Sequence, residues 1–465
     1  MYGVITGNLS LRRVALVLVE HVLIVLSVAM AATIRLGAPE TFGQGLNEWL
    51  GRAVVVAAVL QVCLHYCDLY DLRTLTDRKD LLTGLVRALG ATSLILAILY
   101  YALPQLVIGR GVFALAMVLI ITLVAGWRVV FEWLSVWGRP AERLLIVGTG
   151  AAAVTLAREL FQRRSELGVE LVGFVDSDTA RVGMSLVNPG VIGTVSDIPS
   201  LVRAKRVDRV VVSLADARGK LNMEELLAMK LNDGVRFDHL ASVYEQYTGK
   251  IAVENLRPSW MIFSDGFRKG VVLDVAKRLS DVALAVIGLI LAAPLMALSA
   301  IAVRVSSPGV VFYSQRRVGK DGVPFTIHKF RSMRDDAEAG TGAVWSTQND
   351  PRVTPVGRFL RRTRLDELPQ LWNVLKGDMS FVGPRPERPE FVADLTREIP
   401  FYGQRHVVRP GLTGWAQVRH RYGSSVDDAQ EKLQYDLFYI KNRSMPFDIY
   451  IILETVKTVI MRSGS

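Results

Sequence analysis

The chain has 465 residues, 51% of them hydrophobic, with a net charge of +11 and a sequence pI near 9.7. Its mean hydropathy of +0.30 is high for a soluble protein and points to membrane segments. The basic balance suits anionic lipid or anionic substrates; no helix-turn-helix, zinc or RNA-binding signature accompanies it, so nucleic acid is not an expected partner. Cys63 and Cys67 are the only cysteines and lie in an apolar run. Two thiols can neither complete a tetrahedral zinc site nor build a disulfide framework, so they read as packing residues.

Four apolar segments come first, near residues 14–34, 49–67, 81–103 and 110–134. Each approaches the roughly 20 residues that cross hydrocarbon as a helix. The third carries Arg87 within its first two turns, so that side chain must snorkel. Arg12 and Arg13, then Arg73, Arg78 and Lys79, then Arg139 and Arg143 flank alternate ends and place those ends in the cytoplasm. Arg35, Arg52 and Arg110 on the intervening loops make the bias modest. The N-terminus lacks a convincing small-residue cleavage site and reads as an anchor. Residues 1–138 are therefore expected to form a four-span membrane α-helical bundle that anchors the chain, with dimerisation and lipid access as further roles; a homodimer is the expected assembly.

From Glu142 the pattern changes to strand, glycine turn and helix. ERLLIVG is an apolar run, GTGAAA supplies Gly148 and Gly150, and AVTLARELFQRR reads as a helix. VELVGFVDSD reads as a second strand ending at Asp176, VDRVVVSL as a third, MEELLAMKLND as a helix and VRFDHL as a further strand. Alternation at this spacing means a doubly wound sheet, an α/β Rossmann-like cytoplasmic domain over 139–247. The glycines could cradle a dinucleotide pyrophosphate and Asp176 could hold a ribose, but the spacing between them exceeds the usual ~20 residues. A bound nucleotide is thus one reading of this domain, and a scaffold or sensor the other. It resembles the first half of the Rossmann-like domain of membrane-tethered nucleotide-sugar dehydratases, without their Tyr-x-x-x-Lys pair: neither Tyr244 nor Tyr247 has a lysine four residues on. Residues 248–272 mix glycine, proline and aromatics and read as a linker.

The final section, 273–465, is expected to be a mainly α catalytic domain. It opens on a fifth apolar stretch, residues 279–305, with Lys277 and Arg278 before it, Arg304 after it and Pro294 in its middle. FTIHKFRSMRDDAE follows, a short β-like run ending in Lys329, Arg331 and Arg334. Then comes RRTRLDELPQLWNVLKG: Arg361, Arg362 and Arg364 precede the adjacent carboxylates Asp366 and Glu367, and Leu368, Leu371, Trp372 and Leu375 follow at helical spacing. The acids would sit at a helix N-terminus, with Pro369 in its first turn and Gly377 at its stop. In GDMSFVGPRPERPEF, Pro384 and Pro386 stiffen the backbone on both sides of Arg385. A cationic shell around a few acids is what polyphosphate recognition requires. His328, His406 and His420 have no metal spacing. The last apolar segment, Phe447–Ile460, looks amphipathic and interfacial.

KFRSM, LDELPQLWNVLKGDMSFVGPRP and RPGLTGWAQV together resemble the bacterial sugar transferases that prime glycan assembly on polyprenyl phosphate, in their large multi-span form from exopolysaccharide systems. The resemblance implies transfer of a sugar 1-phosphate from a UDP-sugar to polyprenyl (undecaprenyl) phosphate with release of UMP. It implies Asp366 as nucleophile and Glu367 beside it orienting the nucleophile or holding Mg²⁺. Arg361 and Arg385 would grip phosphate oxygens, with Lys329, Arg421 and Asp436 as further substrate-binding residues. Nucleotide sugars are made in the cytoplasm, so the catalytic domain is expected on the cytoplasmic face of the bacterial inner membrane. Residues 279–305 would then be a re-entrant helix, bent at Pro294, that enters and leaves on one side. The rival readings are a membrane-tethered nucleotide-sugar dehydratase or epimerase and a non-enzymatic scaffold of a polysaccharide assembly complex.

Overall fold

The computed structural model describes residues 11–37, 46–67, 69–70, 78–137, 142–162, 164–213, 223–253, 267, 270–334, 337, 350–420 and 425–460. The chain divides into two compact units, residues 1–240 and 241–465.

The first unit begins with four long helices, α1 (Leu11–Leu36), α2 (Leu46–Tyr66), α3 (Arg78–Ala102) and α4 (Arg110–Trp137). α1 packs on α2 and α4, and α2 packs on α3. Leu16, Ile24, Val28 and Ala31 of α1 face the bundle core, while Leu18, Val22, Leu26, Met30 and Ile34 are exposed. A helix that is apolar on its outer face as well as its inner one needs lipid as its solvent. The chain is accordingly a membrane protein, with five helices long and apolar enough to cross a bilayer among its described residues. Arg87 lies on the outside of α3.

One ion pair is buried among these apolar helices. Arg128 of α4 and Glu20 of α1 are fully buried and bonded through Nε to Oε1 at 2.6 Å and Nη2 to Oε2 at 3.0 Å. The remaining Nη1 donates to the Leu69 carbonyl at 2.8 Å, and the guanidinium lies 5.6 Å from the Tyr70 ring centroid. The guanidinium is thereby satisfied by a carboxylate, a carbonyl and an aromatic ring, which is what lets charge persist at this depth.

An all-parallel five-stranded sheet follows: β1 (Glu142–Val147), β2 (Val169–Asp176), β3 (Val191–Thr194), β4 (Arg209–Val212) and β5 (Arg236–His239). Between them run α5 (Ala151–Gln162), α6 (Ile198–Lys205) and α7 (Met223–Asn232). The spatial order β3-β2-β1-β4-β5 is that of a doubly wound half. Central strands covered on both faces carry unbroken apolar runs, and Leu144, Leu145, Ile146 and Val147 of β1 are all buried. The four residues of β3 are too few to register as an apolar run, so the periodicity leaves that strand and α6 unread.

In the second unit, α8 (Leu240–Thr248) packs from Ala241 onward against the C-terminal helices, with Lys441 Nζ 2.5 Å from Glu245 Oε2. α9 (Val271–Ser306) is one continuous 36-residue helix with Pro294 inside it. The antiparallel hairpin of β6 (Phe312–Val318) and β7 (Pro324–Phe330) leads to α10 (Pro355–Thr363) and α11 (Gln370–Lys376). β8 (Ser380–Val382) then pairs in parallel with β9 (Gly411–Thr413), and α12 (Pro389–Glu398) lies between them in sequence. The chain closes with α13 (Trp415–Arg419), α14 (Val426–Lys441) and α15 (Met445–Ile460). Trp415 is 1% exposed at the heart of this end, stacked on Phe438 and donating its indole N–H to the Gly249 carbonyl at 2.9 Å. α15 buries Phe447 and Ile451 and exposes Ile449, Leu453, Val456 and Val459, a two-faced helix of the kind its sequence suggests.

Removing one partner of a fully buried ion pair strands the other. Glu20→Leu is expected to cost about 3–5 kcal/mol in thermal unfolding of the detergent-solubilised protein, and Glu20→Leu with Arg128→Met to recover most of that loss.

Candidate active site

The acid pair is set by a sharp reversal between two helices. α10 starts on Thr354, whose Oγ1 accepts from Gly357 N at 2.9 Å, and it ends at Arg364 in the left-handed region with φ 59°. Residues Leu365–Glu367 form a single 3₁₀ turn, and α11 begins only at Gln370 with Pro369 as its N-cap. The carboxylates therefore sit in the turn before the helix, one turn earlier than the sequence pattern suggests. α11 buries Gln370, Leu371, Asn373 and Val374, whereas Trp372 is 55% exposed. The buried face is thus partly polar: Asn373 donates Nδ2–H to the Thr326 carbonyl at 2.7 Å and accepts from His328 N at 3.2 Å. That amide ties α11 to β7.

β7 in turn delivers Lys329. Its Nζ lies 2.8 Å from Glu367 Oε1, and Arg385 Nη2 lies 2.7 Å from the same oxygen. Asp366 is 7% exposed, and its Oδ1 has no hydrogen-bond partner among the described residues. The two neighbouring acids are consequently shifted in opposite directions. Burial alone would raise both carboxyls. For Glu367 the charges of Arg385 and Lys329 outweigh it and hold the group well below the usual range. For Asp366 burial and the Glu367 charge win, and the group is raised despite Lys329 and Arg361. Burial also lowers Lys329, with the Glu367 charge acting against it. The result is a fixed, fully compensated Glu367 beside an Asp366 with one uncommitted oxygen.

The other expected site residues fall into place around this turn, with one exception. Arg361 reaches back from the last turn of α10 to donate Nε–H to Ser332 Oγ at 2.9 Å. Gly357 lets α10 approach, since a Cβ there would lie 2.0 Å from the Ser332 carbonyl oxygen. Asp436 is 1% exposed in α14 and lies behind the site, bound to Arg405 at 2.8 Å. Burial pushes its carboxyl up to about 6 even though the guanidinium opposes this. Arg405 also donates to the Arg385 carbonyl at 3.0 Å, and Arg317 donates to the Pro386 carbonyl at 3.2 Å. Arg405 and Asp436 therefore brace the Pro-Arg-Pro loop that presents Arg385. Sequence reasoning passes over Arg405, Arg317, Asn373 and Ser332, because an isolated polar residue in a loop or on a helix face carries no periodic signal. Arg421 lies outside the described residues. Gly148, with φ +102°, and Gly150 follow β1 in the first unit. Asp176 there is engaged by its own surroundings, accepting from Thr149 Oγ1 and from Asp178 N at 3.0 Å.

Among the described residues no group of three or more His, Cys, Asp and Glu side chains could hold a metal ion. Mg²⁺ needs less, because it keeps several waters and takes one or two carboxylates plus substrate phosphate. The orphaned Asp366 Oδ1 next to Glu367 fits that demand.

Residues 272–462 match the family model described as bacterial sugar transferase, and residues 65–237 match one described as a CoA-binding domain. The chain is 35% identical over 328 residues to the UDP-glucose:undecaprenyl-phosphate glucose-1-phosphate transferase of Escherichia coli K12, covering 68% of this chain and 67% of that protein. The chain belongs to the bacterial sugar transferase family. Another member, the Xanthomonas campestris UDP-glucose:undecaprenyl-phosphate glucose-1-phosphate transferase, is 36% identical over 341 residues, 70% of this chain and 67% of its own. The Aeromonas hydrophila UDP-N-acetylgalactosamine-undecaprenyl-phosphate N-acetylgalactosaminephosphotransferase is 40% identical over 262 residues, which span 56% of this sugar transferase and 61% of the relative. The family match in this sugar transferase contains Lys329, Arg361, Asp366, Glu367, Arg385 and Asp436.

Proposed function

We propose that this sugar transferase moves a sugar 1-phosphate from a UDP-sugar to undecaprenyl phosphate, as the first membrane step of exopolysaccharide or related glycan synthesis. The observation that carries the reading is the acid turn: a buried aspartate with a free oxygen, beside a glutamate clamped by Lys329 and Arg385. Donor and acceptor are both phosphates, and direct attack of one on the other opposes like charges. Two displacements at one carboxylate avoid that encounter. An Asp366 oxygen attacks the sugar-bearing phosphorus of the donor, the P–O bond to the uridylyl phosphate breaks, and UMP leaves with the bridging oxygen. A phosphate oxygen of the lipid then attacks the same phosphorus, and the bond to Asp366 breaks to regenerate the carboxylate. The lipid phosphate is ionised near neutral pH, so no general base is needed. Arg385, Lys329 and Arg361 stand where charge develops on phosphate oxygens. Mg²⁺ held by Asp366 and Glu367 would neutralise the diphosphate of the donor. Glu367, already paired with two cations, fixes the turn and keeps those cations in place. A nucleotide in the α/β domain would lie where Gly148 and Gly150 open the ends of the strands, and the transfer does not draw on it.

In this reading the catalytic unit lies on the cytoplasmic face of the bacterial inner membrane, and α9 enters and leaves the bilayer on that face. Support comes from the packing on both sides of Pro294. Before it, Asp281 Oδ1 accepts from Ser380 Oγ at 3.1 Å and Phe381 N at 2.9 Å, and Gly288 faces Leu371. After it, Val303 packs with Phe330 and Leu360. A helix that packs on elements of one unit both before and after its midpoint fits entry and exit on a single face. The opposite face exposes Ile287, Ile290, Leu291, Leu295, Leu298 and Ile301. Pro294 supplies no N–H to the preceding turn and marks the place where the helix can bend.

Asp366→Asn is expected to abolish both UMP release and sugar transfer. Wild-type protein given UDP-sugar without acceptor and quenched in acid should show sugar-phosphate mass on the peptide containing Asp366. Retention of more than about a tenth of wild-type turnover by the variant would exclude the nucleophile role.

A second expectation concerns pH. Asp366 must be ionised to attack, and burial with the Glu367 charge raises its pKa, so the acid limb of kcat/KM should lie above the ordinary aspartate range. Glu367→Gln removes the like charge and leaves Lys329 and Arg385 facing Asp366. The residual activity of that variant should therefore show its acid limb at lower pH; an unmoved limb would mean that another group is being titrated.

The topology is tested by single cysteines at Gly270 and Val310, with Cys63 and Cys67 replaced. Both should resist an impermeant thiol reagent added from the periplasm and react once the membrane is opened. Labelling of Val310→Cys alone from outside would establish a full crossing.

A further inference from the structure

A cavity of about 330 Å³ opens where α9 begins, and none of Asp366, Glu367, Lys329, Arg361 or Arg385 lines it. Five cations line it, Lys277, Arg278, Lys320, Arg409 and Arg443, against two carboxylates, Asp274 and Asp281. Two of the cations are matched: Arg443 pairs with Asp274 at 3.1 Å, and Lys277 with Asp448 at 2.5 Å. Asp281 is committed to Ser380 and Phe381. The other three have no carboxylate partner among the described residues. Arg278 donates to the carbonyls of Val374 and Leu375, both at 2.7 Å, and Arg409 to that of Gly377 at 3.0 Å. Lys320 is exposed. Carbonyls at a helix end carry only partial charge, so a surplus of positive charge lines this cavity.

Apolar residues of α9 stand among these charges. Val271 and Val275 line the cavity, and the adjoining surface of α9 exposes Val271 (76%), Val272 (84%) and Leu279 (67%). Cations beside the exposed apolar start of a helix match a ligand with an anionic head and a hydrocarbon body. We propose that this cavity binds the phosphate of an anionic phospholipid, whose acyl chains lie along the exposed start of α9. The site is accessory, distinct from the place of reaction. Arg278 and Arg409 hold the C-terminal end of α11, and the acid turn precedes its other end. From Gly377 back to Asp366 is roughly 16–17 Å at about 1.5 Å per helical residue, too far for a phosphate in the cavity to attack there. The lipid instead fills the charge that Arg278 and Arg409 bring to the seat of α11. Anionic phospholipid should therefore steady the helix that follows the acid pair, and activity should depend on it.

The test uses the full chain, stripped of lipid in detergent and reconstituted in nanodiscs of phosphatidylcholine with or without phosphatidylglycerol. Native mass spectrometry reads retained lipid, and turnover is measured in parallel. Wild type is expected to retain phosphatidylglycerol over phosphatidylcholine and to turn over faster in its presence. Lys320→Glu should lower that retention about thirtyfold, because it replaces an attraction of the headgroup by a repulsion of similar size, and should remove the stimulation. Its turnover in phosphatidylcholine alone should equal that of wild type. Lys320→Arg, which keeps the charge, should behave as wild type, and Arg443→Gln should weaken retention independently. Equal retention of the two lipids, or undiminished retention by Lys320→Glu, would overturn the proposal. Inorganic phosphate that protects the stripped protein from heat as well as phosphatidylglycerol does would assign the site to a soluble anion and overturn the lipid. Displacement of phosphatidylglycerol by undecaprenyl phosphate alone would make the cavity an acceptor site and overturn the accessory role.

Discussion

Two adjacent carboxylates cannot both be buried as bare anions, and the catalytic unit is arranged around how that conflict is resolved. Glu367 takes both nearby cations, Lys329 and Arg385, on one oxygen, and Asp366 is left with an oxygen that no protein group occupies. Each cation must then be held from behind. Lys329 is fixed because β7 is pinned to α11 by Asn373, and Arg385 is fixed because Arg405 and Arg317 bond the backbone of its loop. Arg405 is itself set by Asp436 and Tyr402. The chain of support runs from α14 to the acid turn without a gap.

The same unit has to do this chemistry at a membrane, and α9 reconciles the two demands. Its inward side carries small or polar residues, Asp281, Ala285, Gly288, Ala292 and Ser299, which admit the catalytic elements closely. Its outward side is aliphatic. Trp372 on α11 and the apolar stripe of α15 are exposed as well. The N-terminal bundle solves a separate problem by a similar device, in which a buried charge is kept only because Glu20, the Leu69 carbonyl and the Tyr70 ring satisfy Arg128 together.

Much of this was legible in the amino-acid sequence. The four long helices, the strand–glycine–helix alternation and the acid pair between arginine clusters are local patterns of hydropathy, turn chemistry and charge, and each is found where its pattern lies. Proline on both sides of Arg385 marks a stiff presenting loop by covalent geometry alone. What the sequence left open is which of two chemically similar neighbours keeps a free oxygen. That depends on Lys329 and Arg385, 38 residues before and 18 residues after Glu367, meeting on one atom. Short β3, the start of α11 beyond the acids and the outward turn of Trp372 were likewise decided by packing, because three or four residues carry too little periodic signal to fix a boundary or a face. Arg405 and Asp436 show the limit most plainly. A buried ion pair joins groups 31 residues apart, and only the folded chain brings them behind the same loop.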